Sequence, residues 1–320
     1  MRPLHPKHLW DGVIAASLAL FAIGAGFAGA AVTNGTASTW QIAAGIACIA
    51  ALAIVIYGSW IEPRRIAERR LRLPFPIPGL RIAIVADIHV GHFAFAPFVA
   101  RLVERINATK PDIILLPGDF LSDSETDIAD LEPLRHLSAR HGTFAVIGNH
   151  DSGHYINIRQ RPWNGADRSA ELSDFLEKRA ITVLRNRSVT IHAGGRDIVI
   201  AGIDDLWPTV PAAVPPFLAS LDPALPTILV SHHPDAIELA DARRAHLIVS
   251  GHTHGGQIRL PIIGPLLPVP TALGRRFSRG VFRISPTCTL FITHGVGATE
   301  LRSRLCATPE VVVIETENAE

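Results

Sequence analysis

The sequence predicts an α/β domain that follows a two-helix transmembrane hairpin. Two apolar runs without any charged residue lie near the amino terminus, at residues 12–32 and 41–60. Five short apolar runs come later, several with helical segments between them, and this alternation is typical of an α/β fold. Each of the five ends in Asp, Asn or His. Because ligands bind beyond the carboxyl ends of strands in open α/β sheets, these side chains predict one shared site.

The chain has 320 residues, enough for one large domain with an appendage. Its 30 Lys and Arg residues against 29 Asp and Glu residues leave a formal net charge of +1. No broad basic surface is predicted, so we expect no nucleic acid partner. The three cysteines form no Cys-x-x-Cys pair, which argues against a zinc ribbon. No feature of the sequence indicates a protein partner.

Both apolar runs are long enough to cross the hydrocarbon core of a membrane as helices. The pairs Gly24 and Ala28, and Gly26 and Ala30, would let the two helices pack closely. The runs therefore predict a membrane hairpin. Two alternatives remain open: a signal peptide, residues 1–30, cleaved at the end of Ala28-Gly29-Ala30, or two buried helices of a soluble core.

Basic residues flank the hairpin on one side only. Arg2 and Lys7 precede the first run, and the loop 33–40 between the runs has no basic residue. Because basic residues stay on the cytoplasmic side, this pattern predicts a multi-pass protein of the inner or plasma membrane with a cytoplasmic domain. The arginines after the second run are Arg64, Arg65, Arg69, Arg70 and Arg72.

The domain organisation follows from these segments. We expect a membrane hairpin at residues 1–62, a basic, proline-rich linker at 63–79 and an α/β domain at 80–316. The apolar runs predict strands at 81–87, 112–119, 142–151, 226–234 and 246–254, and helical spacing predicts helices at 96–110, 169–180 and 235–244.

The strand ends carry side chains that suit metal binding. Asp87 and His89 are two residues apart, so in an extended chain they point the same way. With the donors after the other strands they make seven nitrogen and oxygen ligands, too many for one tetrahedral zinc ion but suited to two ions that share a carboxylate. Such a mixed set favours Mn, Fe, Zn or Co over Ca. The predicted donors are Asp87, His89, Asp119, Asn149, His232, His252 and His254.

Five short motifs together resemble, in order and spacing, those of the calcineurin-like metallophosphoesterases, over about residues 80 to 316. They are DIHVG (87–91), GD (118–119), GNHD (148–151), SHHP (231–234) and GHTHGGQ (251–257). The resemblance implies a β-sandwich flanked by helices. It also implies two divalent transition-metal ions, with Mn expected first, and the hydrolysis of phosphoric ester bonds.

The resemblance further implies a role for each residue. Asp119 would bridge the two ions. His150 would bind no metal and would face the phosphate as the catalytic residue, either steadying the transition state or protonating the leaving oxygen. The first ion would be bound by Asp87, His89 and His254, and the second by Asn149, His232 and His252.

Some positions leave alternatives open. His232 is preferred over His233 because the ligand of the family follows the strand directly. Many family members orient the catalytic histidine with an aspartate three residues after the bridging one. Here Ser122 stands at that position, and Asp123 or Asp151 would have to substitute. We expect His294 to line the pocket and the remaining histidines to be structural or surface residues: His92, His141, His192 and His246.

The segment after the last motif bears on the substrate. Residues 260–274 carry no charge and four prolines, and Arg275, Arg276 and Arg279 follow them. The segment is either a loop packed over the core or an apolar lip that faces the bilayer, with the arginines binding anionic head groups.

A membrane-bound subgroup of the family has a similar layout and includes UDP-2,3-diacylglucosamine hydrolases of lipid A synthesis. The resemblance therefore favours a membrane-anchored phosphodiesterase or pyrophosphatase for a lipid-linked substrate. Two alternatives are a tethered phosphodiesterase for a soluble nucleotide-type substrate and a non-catalytic membrane partner.

Overall fold

The computed structural model describes residues 6–91, 94–156, 162–207 and 209–318, so Arg2 and His92 lie outside the described residues. The α-helices are α1 (Pro6–Thr33), α2 (Thr39–Ile56), α3 (Ala96–Ala108), α4 (Ser169–Glu177) and α5 (Val214–Ala219). The strands are β1 (Ala67–Pro74), β2 (Arg81–Ile84), β3 (Ile113–Pro117), β4 (Thr143–Val146), β5 (His154–Ile156), β6 (Pro162–Asn164), β7 (Ile181–Val183), β8 (Arg187–Ala193), β9 (Arg196–Gly202), β10 (Thr227–Val230), β11 (Leu247–Ser250), β12 (Arg259–Leu260), β13 (Gly264–Pro265), β14 (Gly280–Arg283), β15 (Thr289–Ile292) and β16 (Glu310–Glu317).

The helices α1 and α2 pack against each other as a hairpin. A capping box begins α2, because the hydroxyl of Ser38 accepts a hydrogen bond from the amide of Gln41 and the Gln41 side chain accepts one from the amide of Ser38. A Cβ atom added at Gly24 would lie 2.7 Å from Sγ of Cys48. One added at Gly26 would meet no atom of the described residues within 4 Å. The helices therefore approach on the Gly24 face and not on the Gly26 face.

Both helical segments, Asp11–Thr33 and Thr39–Arg64, are long and apolar enough to cross a membrane. In the most apolar stretch of each segment, only 6% is buried in the first and 17% in the second. Large apolar side chains such as Leu20, Phe27 and Ile46 are 65%, 76% and 64% exposed. This exposure does not fit the alternative of two buried helices in a soluble core.

The first sheet has the strand order β1-β16-β2-β3-β4-β7. The strands β2, β3, β4 and β7 are parallel, β16 is antiparallel to β2, and β1 is parallel to β16. The strand β1 lies in the segment for which composition predicts a linker. Its arginines alternate with Leu71 and Leu73, and only Leu73 is fully buried. Such alternation suits an edge strand with one solvated face.

The second sheet has the order β14-β15-β11-β10-β9-β8. Its four central strands are parallel, and the edge strands β8 and β14 are antiparallel to their neighbours. Buried side chains from both sheets, among them Ile84 of β2 and Val249 of β11, form one apolar core between the sheets. The two sheets therefore face each other as a β-sandwich.

Helices cover the outer face of each sheet. Apolar residues of α3 and α4, such as Leu102 and Leu172, pack on the first sheet. On the second sheet, α5 packs with two short 3₁₀ helices, Pro234–Glu238 and Ala240–Arg244. The sequence predicts one helix at 235–244, but Leu239 has an extended backbone and separates two short ones. The predicted β-sandwich flanked by helices is confirmed.

The apolar segment 260–274 divides into two parts. Ile262, Ile263 and Leu266 are 107%, 64% and 50% exposed in and beside the β12–β13 hairpin. Further along, Val269 is buried, and Leu273 packs against the core of the second sheet. The first part is thus an exposed apolar lip, and the second part is a loop packed over the core. The packed-loop interpretation therefore holds for the second part, and contact of the first part with a bilayer stays a prediction.

Candidate metal centre

The predicted donors come together where the central strands of both sheets end. Asp87 and His89 follow β2, Asp119 follows β3, and Asn149 and His150 follow β4. From the second sheet, His232 follows β10, and His252 and His254 follow β11. All seven predicted donors are buried, with at most 6% of their surface exposed. The site therefore lies at one edge of the sandwich, between the two sheets.

Four of these residues form a first cluster, in which the potential ligand atoms of Asp87, His89, Asp119 and His254 lie within 4.8 Å of one another. The Nε2 atom of His89 lies 3.2 Å from Nε2 of His254 and 3.3 Å from Oδ2 of Asp119. Nε2 of His254 lies 4.0 Å from Oδ1 of Asp87. Two imidazole nitrogens that converge on carboxylate oxygens in this way suit a divalent cation.

The second cluster contains Asp119, His232 and His252. The Nε2 atom of His232 lies 3.3 Å from Oδ2 of Asp119 and 3.1 Å from Nδ1 of His252. It also lies 3.0 Å from Oδ1 of Asn149. The same carboxylate oxygen of Asp119 is thus 3.3 Å from a histidine of each cluster. The two clusters share this oxygen.

Backbone acceptors hold the histidine rings in place. Nδ1 of His89 lies 3.1 Å from the carbonyl oxygen of Leu121, and Nδ1 of His232 lies 2.7 Å from that of Pro117. With Nδ1–H donating to these carbonyls, Nε2 of each ring faces the cluster. Oδ2 of Asp87 is buried and has no hydrogen-bond partner among the described residues. An unpaired buried carboxylate oxygen among imidazoles fits a bound cation.

Several donors sit on strained backbone. Asp87, His89, Asp119, His252 and His254 all have positive φ angles, between 46° and 67°. This conformation costs about 1–2 kcal/mol per residue when the side chain is not glycine. Hydrogen bonds between neighbouring strand ends stabilise it, as from the amide of Asp87 to the carbonyl of residue 118. Such strain is typical of functional sites.

One glycine leaves room for the carboxylate between the clusters. A Cβ atom added at Gly148 would lie 2.1 Å from Oδ1 of Asp119. The glycine of the GNHD motif therefore permits close approach of the β3 and β4 strand ends.

Burial changes the protonation of the donors. It raises the pKa of Asp87 to about 7 and lowers the pKa values of His89, His252 and His254 well below their usual range. Burial also opposes the charge of His232, but a neighbouring carboxylate outweighs it and raises the pKa of that histidine to about 10. Below about pH 7, Asp87 and His232 therefore both hold protons, which a divalent cation would displace.

His150 differs from the seven donors because it is only half-buried. Its Nδ1 atom lies 2.7 Å from the backbone oxygen of Ser122, the residue that stands where many family members have an aspartate. The Asp151 carboxylate instead accepts four backbone N–H bonds, from residues 119, 120, 121 and 148. Oδ1 of Asp123 accepts bonds from the amide of Glu125 and the hydroxyl of Thr126. The backbone at Ser122 thus orients His150.

Two other histidines lie next to the clusters. The ring of His233 packs on His252, with centroids 3.5 Å apart, and lies behind the second cluster rather than in it. His294 packs against Gly255 of the GHTHGGQ turn, and its Nδ1 atom lies 3.2 Å from the backbone oxygen of Thr308. His294 therefore supports the turn that carries His252 and His254.

The remaining histidines and Arg304 complete the surroundings. His192 pairs with Asp197 at the surface, and Nδ1 of His246 accepts a hydrogen bond from the amide of Thr227. The backbone amide of His141 donates to the β3 side of the sheet, at the oxygen of residue 112. Sequence analysis missed Arg304, which is fully buried with Nη2 3.4 Å from Nδ1 of His254. No motif surrounds Arg304, so no sequence signal could have identified it.

Comparison with known proteins identifies the fold and the chemistry. Residues 80–256 match the family described as calcineurin-like phosphoesterase. An uncharacterized metallophosphoesterase of Bacillus subtilis (strain 168), YkuE, is 31% identical over 266 residues, 80% of this chain and 87% of that protein. The phosphodiesterase YaeI of Escherichia coli (strain K12) is 30% identical over 265 residues, 81% of this chain and 91% of that protein.

A third relative has a lipid-related name. The UDP-2,3-diacylglucosamine pyrophosphatase LpxG of Chlamydia trachomatis (serovar D, strain ATCC VR-885 / DSM 19411 / UW-3/Cx) is 26% identical over 308 residues, 81% of this chain and 92% of that protein. The predicted resemblance is confirmed, and the buried Asp and His cluster is a metal-binding site of the kind that this family uses. The chain belongs to the calcineurin-like phosphoesterase family and is a metal-dependent hydrolase of phosphoric ester bonds.

Proposed function

We propose that this chain is a membrane-anchored phosphoesterase with two divalent metal ions that cleaves a phosphodiester or pyrophosphate bond of a lipid-linked substrate. One observation carries the lipid-linked part of the proposal. Arg259, at the base of the exposed apolar lip formed by Ile262 and Ile263, and Gly58, two residues after α2, are hydrogen-bonded through their backbones to the same loop beside the metal-binding cluster.

The metal ligands of the proposal follow the two clusters. Asp87, His89 and His254 would hold the first ion, and Asn149, His232 and His252 the second. Asp119 would serve both ions, because its Oδ2 atom lies 3.3 Å from a histidine of each cluster. Mn²⁺ is the first choice, and Fe, Zn or Co also suit this donor set. When bound, such a pair supplies positive charge for the phosphate oxygens and acidifies a water molecule.

In this proposal His150 serves the leaving group. Its Nδ1–H donates to the Ser122 carbonyl, which leaves Nε2 as the nitrogen that can face a substrate. His150 is half-buried beside the buried donors, so Nε2 can give a proton to the departing oxygen.

The membrane anchor explains the two exposed helices. Leaving large apolar side chains such as Phe27 and Ile46 in water costs roughly 1.5–3 kcal/mol each compared with burying them. A bilayer removes this cost along both helices. The arginines that follow α2 favour a cytoplasmic domain at an inner or plasma membrane.

The position of the lip supports a substrate that approaches from the bilayer. The amide of Arg259, at the base of the lip, donates to the backbone oxygen of Leu305 at 2.8 Å. The amide of Arg304, one residue earlier, donates to the oxygen of Gly58 at the end of α2, also at 2.8 Å. The lip therefore begins where the chain leaves the hairpin, and His254 lies five residues before its base. The similarity to the pyrophosphatase LpxG agrees with this arrangement.

The arginines around the lip also form hydrogen bonds within the protein. Arg275 donates to the backbone oxygen of Pro265, and Arg279 donates to that of Cys306. Burial and the charge of Arg279 lower the pKa of Arg259, so these cations lie close together. In the proposal, this basic group beside an apolar lip suits an anionic head group.

A second candidate substrate is a soluble nucleotide-type phosphodiester. A cavity of about 520 Å³ beside the second cluster is lined by Trp207, His233 and Asp235. The Trp207 and His233 rings are parallel, with an angle of 3° and centroids 6.2 Å apart. An aromatic-lined cavity with carboxylates can hold a planar base that carries hydrogen-bond donors. The third alternative, a non-catalytic membrane partner, has no support from the family membership.

The lip provides the test. We expect Ile262→Asp with Ile263→Asp to reduce kcat/KM for a diacylglucosamine nucleoside diphosphate in vesicles by about 10-fold or more, because two charges now oppose contact with lipid. Hydrolysis of soluble bis-p-nitrophenyl phosphate by the same full-length protein with Mn²⁺ should not change. Ile262→Leu with Ile263→Leu is the matched control and should behave like wild type. Equal rates on the lipid substrate for all three proteins, or a preference for a soluble cyclic nucleotide, would contradict the lipid assignment.

A further inference from the structure

We propose that the helical hairpin is a structural part of the first metal cluster, and that Arg304 is the positioning residue that links the two. Residues 301–308 form the connecting segment, here named the 301–308 loop. Under this proposal, the end of α2 holds the loop, and the loop holds His254 and Asp87. A hairpin that only tethers the domain would have no such effect on the cluster.

The first link joins the end of α2 to the loop. The amide of Arg304 donates to the backbone oxygen of Gly58 at 2.8 Å, and the hydroxyls of Ser59 and Ser303 are 2.8 Å apart in a buried position. A Cβ atom added at Gly58 would lie only 3.1 Å from the Arg304 oxygen. The backbone of the helix end is thus in direct contact with the backbone that carries Arg304.

Glu62 makes the second link, one turn later. It is 1% exposed, and its carboxylate accepts hydrogen bonds from the amides of Cys306 and Ala307, at 3.1 and 2.9 Å. The hydroxyl of Thr308 donates to the same carboxylate at 3.0 Å. Hydrogen bonds to an ionised acceptor are roughly twice as strong as neutral ones. Three of them on one buried carboxylate fix the loop to the residues that follow α2.

The third link runs from the loop to the metal-binding cluster. Arg304 is completely buried, and its guanidinium donates to the backbone oxygens of Gly297, Ala307 and His294 at 2.7, 2.7 and 2.8 Å. Nη2 also lies 3.4 Å from Nδ1 of His254. Burial lowers the pKa of Arg304 to about 10, so the side chain remains charged at neutral pH.

Arg304 also supports Asp87 through the backbone. The amide of Gly297, whose oxygen accepts from Arg304, donates to the backbone oxygen of Asp87 at 2.6 Å. Both Asp87 and His254 have strained positive φ angles, at 54° and 51°. A strained conformation persists only when its surroundings hold it. The 301–308 loop supplies part of that support on the side of the first cluster.

The 301–308 loop contacts the first cluster more directly than the second. Asn149, His232 and His252 follow β4, β10 and β11, and the Nδ1 atom of His232 is held by Pro117 on β3. His252 of the second cluster is joined to the first, because its amide donates to Oδ1 of Asp87 at 2.9 Å. Loss of the hairpin contacts should therefore weaken the first ion site much more than the second. This asymmetry distinguishes the proposed coupling from a general loss of stability.

The experiment measures Mn²⁺ binding to full-length protein in detergent. We expect Glu62→Ala to weaken one of two binding steps by about 10–100-fold, the usual effect of removing an outer contact of a metal ligand. Glu62→Gln, which keeps an acceptor oxygen, should give a smaller effect. Glu68→Ala is the matched control, because Glu68 is an exposed carboxylate that pairs with Arg70 nearby on β1. It should bind both ions like wild type.

Arg304→Lys tests the inner end of the link. It should weaken the same step, and electron paramagnetic resonance should show a single Mn²⁺ ion in place of a coupled pair. Wild-type affinity for both ions in Glu62→Ala and Arg304→Lys would overturn the coupling, as would an equal loss of both ions. The proposal rests on the proposed binuclear site. The wild-type titration tests that assignment alone, whereas the differences among variants test the coupling.

Discussion

The His150 ring is oriented by a main-chain oxygen rather than by a carboxylate. The backbone oxygen of Ser122 lies 2.7 Å from Nδ1 of His150. The side chain of Asp151 cannot take over this task, because its carboxylate joins the β3 and β4 strand ends through four backbone amides. The proposed proton-donating role of His150 therefore depends on a local contact that a mutation can isolate.

We expect His150→Ala to keep its metal ions and to lose activity by about 10²–10⁴-fold, the range usual for a general acid. The loss should be largest for an alkyl phosphodiester. It should be smaller for p-nitrophenyl esters, since p-nitrophenolate needs little protonation as it leaves. Elemental analysis and steady-state kinetics on both ester types provide the measurement. A variant that has lost metal, or that slows every ester equally, would show that His150 is not the acid.

Asp87 predicts how metal binding depends on pH. Burial raises its pKa to about 7, so the folded, metal-free protein binds a proton there that the unfolded chain releases at lower pH. As the pH rises towards 7, ionisation of this buried carboxyl group therefore lowers the free energy of unfolding of the metal-free protein. A bound cation would remove this loss. We expect the rise in Tm with saturating Mn²⁺ to be larger at pH 8 than at pH 6. Asp87→Asn should flatten this difference, and an unchanged pH dependence in that variant would refute the role of Asp87.

At the scale of elements, the five predicted strands are all buried and parallel, whereas the parallel strands β7, β9 and β15 were not predicted. Each of these five runs is almost entirely apolar and ends in a polar residue, and both features are visible in the sequence. They contain β2, β3, β4, β10 and β11. The edge strand β1 was not predicted, because it contains several arginines and has prolines around it. This composition predicted a linker instead. The apolar run at residues 311–314 within β16 was not predicted as a strand.

In the site, too, only residues that stand in a local sequence pattern could be predicted. The seven predicted donors stand in motifs at strand ends, and the structure brings all seven together. The roles of the Ser122 oxygen and of Arg304 depend on contacts between segments that are far apart in the chain, namely residues 122 and 150, and residues 254 and 304. A backbone carbonyl that accepts a hydrogen bond has no sequence pattern, because every residue has such a carbonyl. An isolated arginine has none either, because only tertiary packing brings it to the site.

The hairpin offers a prediction at the element scale. A Cβ atom added at Gly24 would lie 3.7 Å from Cβ of Cys48, within the range of about 3.5–4.5 Å found in disulfides. We therefore expect Gly24→Cys to form an intramolecular disulfide with Cys48 in membranes treated with copper phenanthroline. Peptide mass spectrometry would detect it. Gly26→Cys is the matched control and should remain reduced; crosslinking at both positions, or at neither, would contradict the observed helix packing.

For the whole molecule, the hairpin and the catalytic domain form one continuous hydrogen-bonded unit. The Arg302 side chain pairs with Asp11 near the start of α1 at 2.8 Å, and Glu62 after α2 binds the same 301–308 loop. Both ends of the hairpin thus meet the domain on one side. If the helices span a bilayer, the domain lies against its surface, with the apolar lip at the same end.

The distribution of basic residues around the hairpin predicts on which side of a membrane the domain would lie. Arg64, Arg65 and the arginines of β1 directly follow α2, whereas the turn between the helices has no basic residue. Moving this cluster across the bilayer would be opposed by the positive-inside bias, so the domain should be cytoplasmic. Full-length protein fused at its carboxyl terminus to alkaline phosphatase should be inactive as a phosphatase, and the matched green fluorescent protein fusion should fluoresce. The reverse pair of results would place the metal site outside the cytoplasm. A cytoplasmic substrate would then be unreachable, and the lip would have to meet the outer leaflet instead.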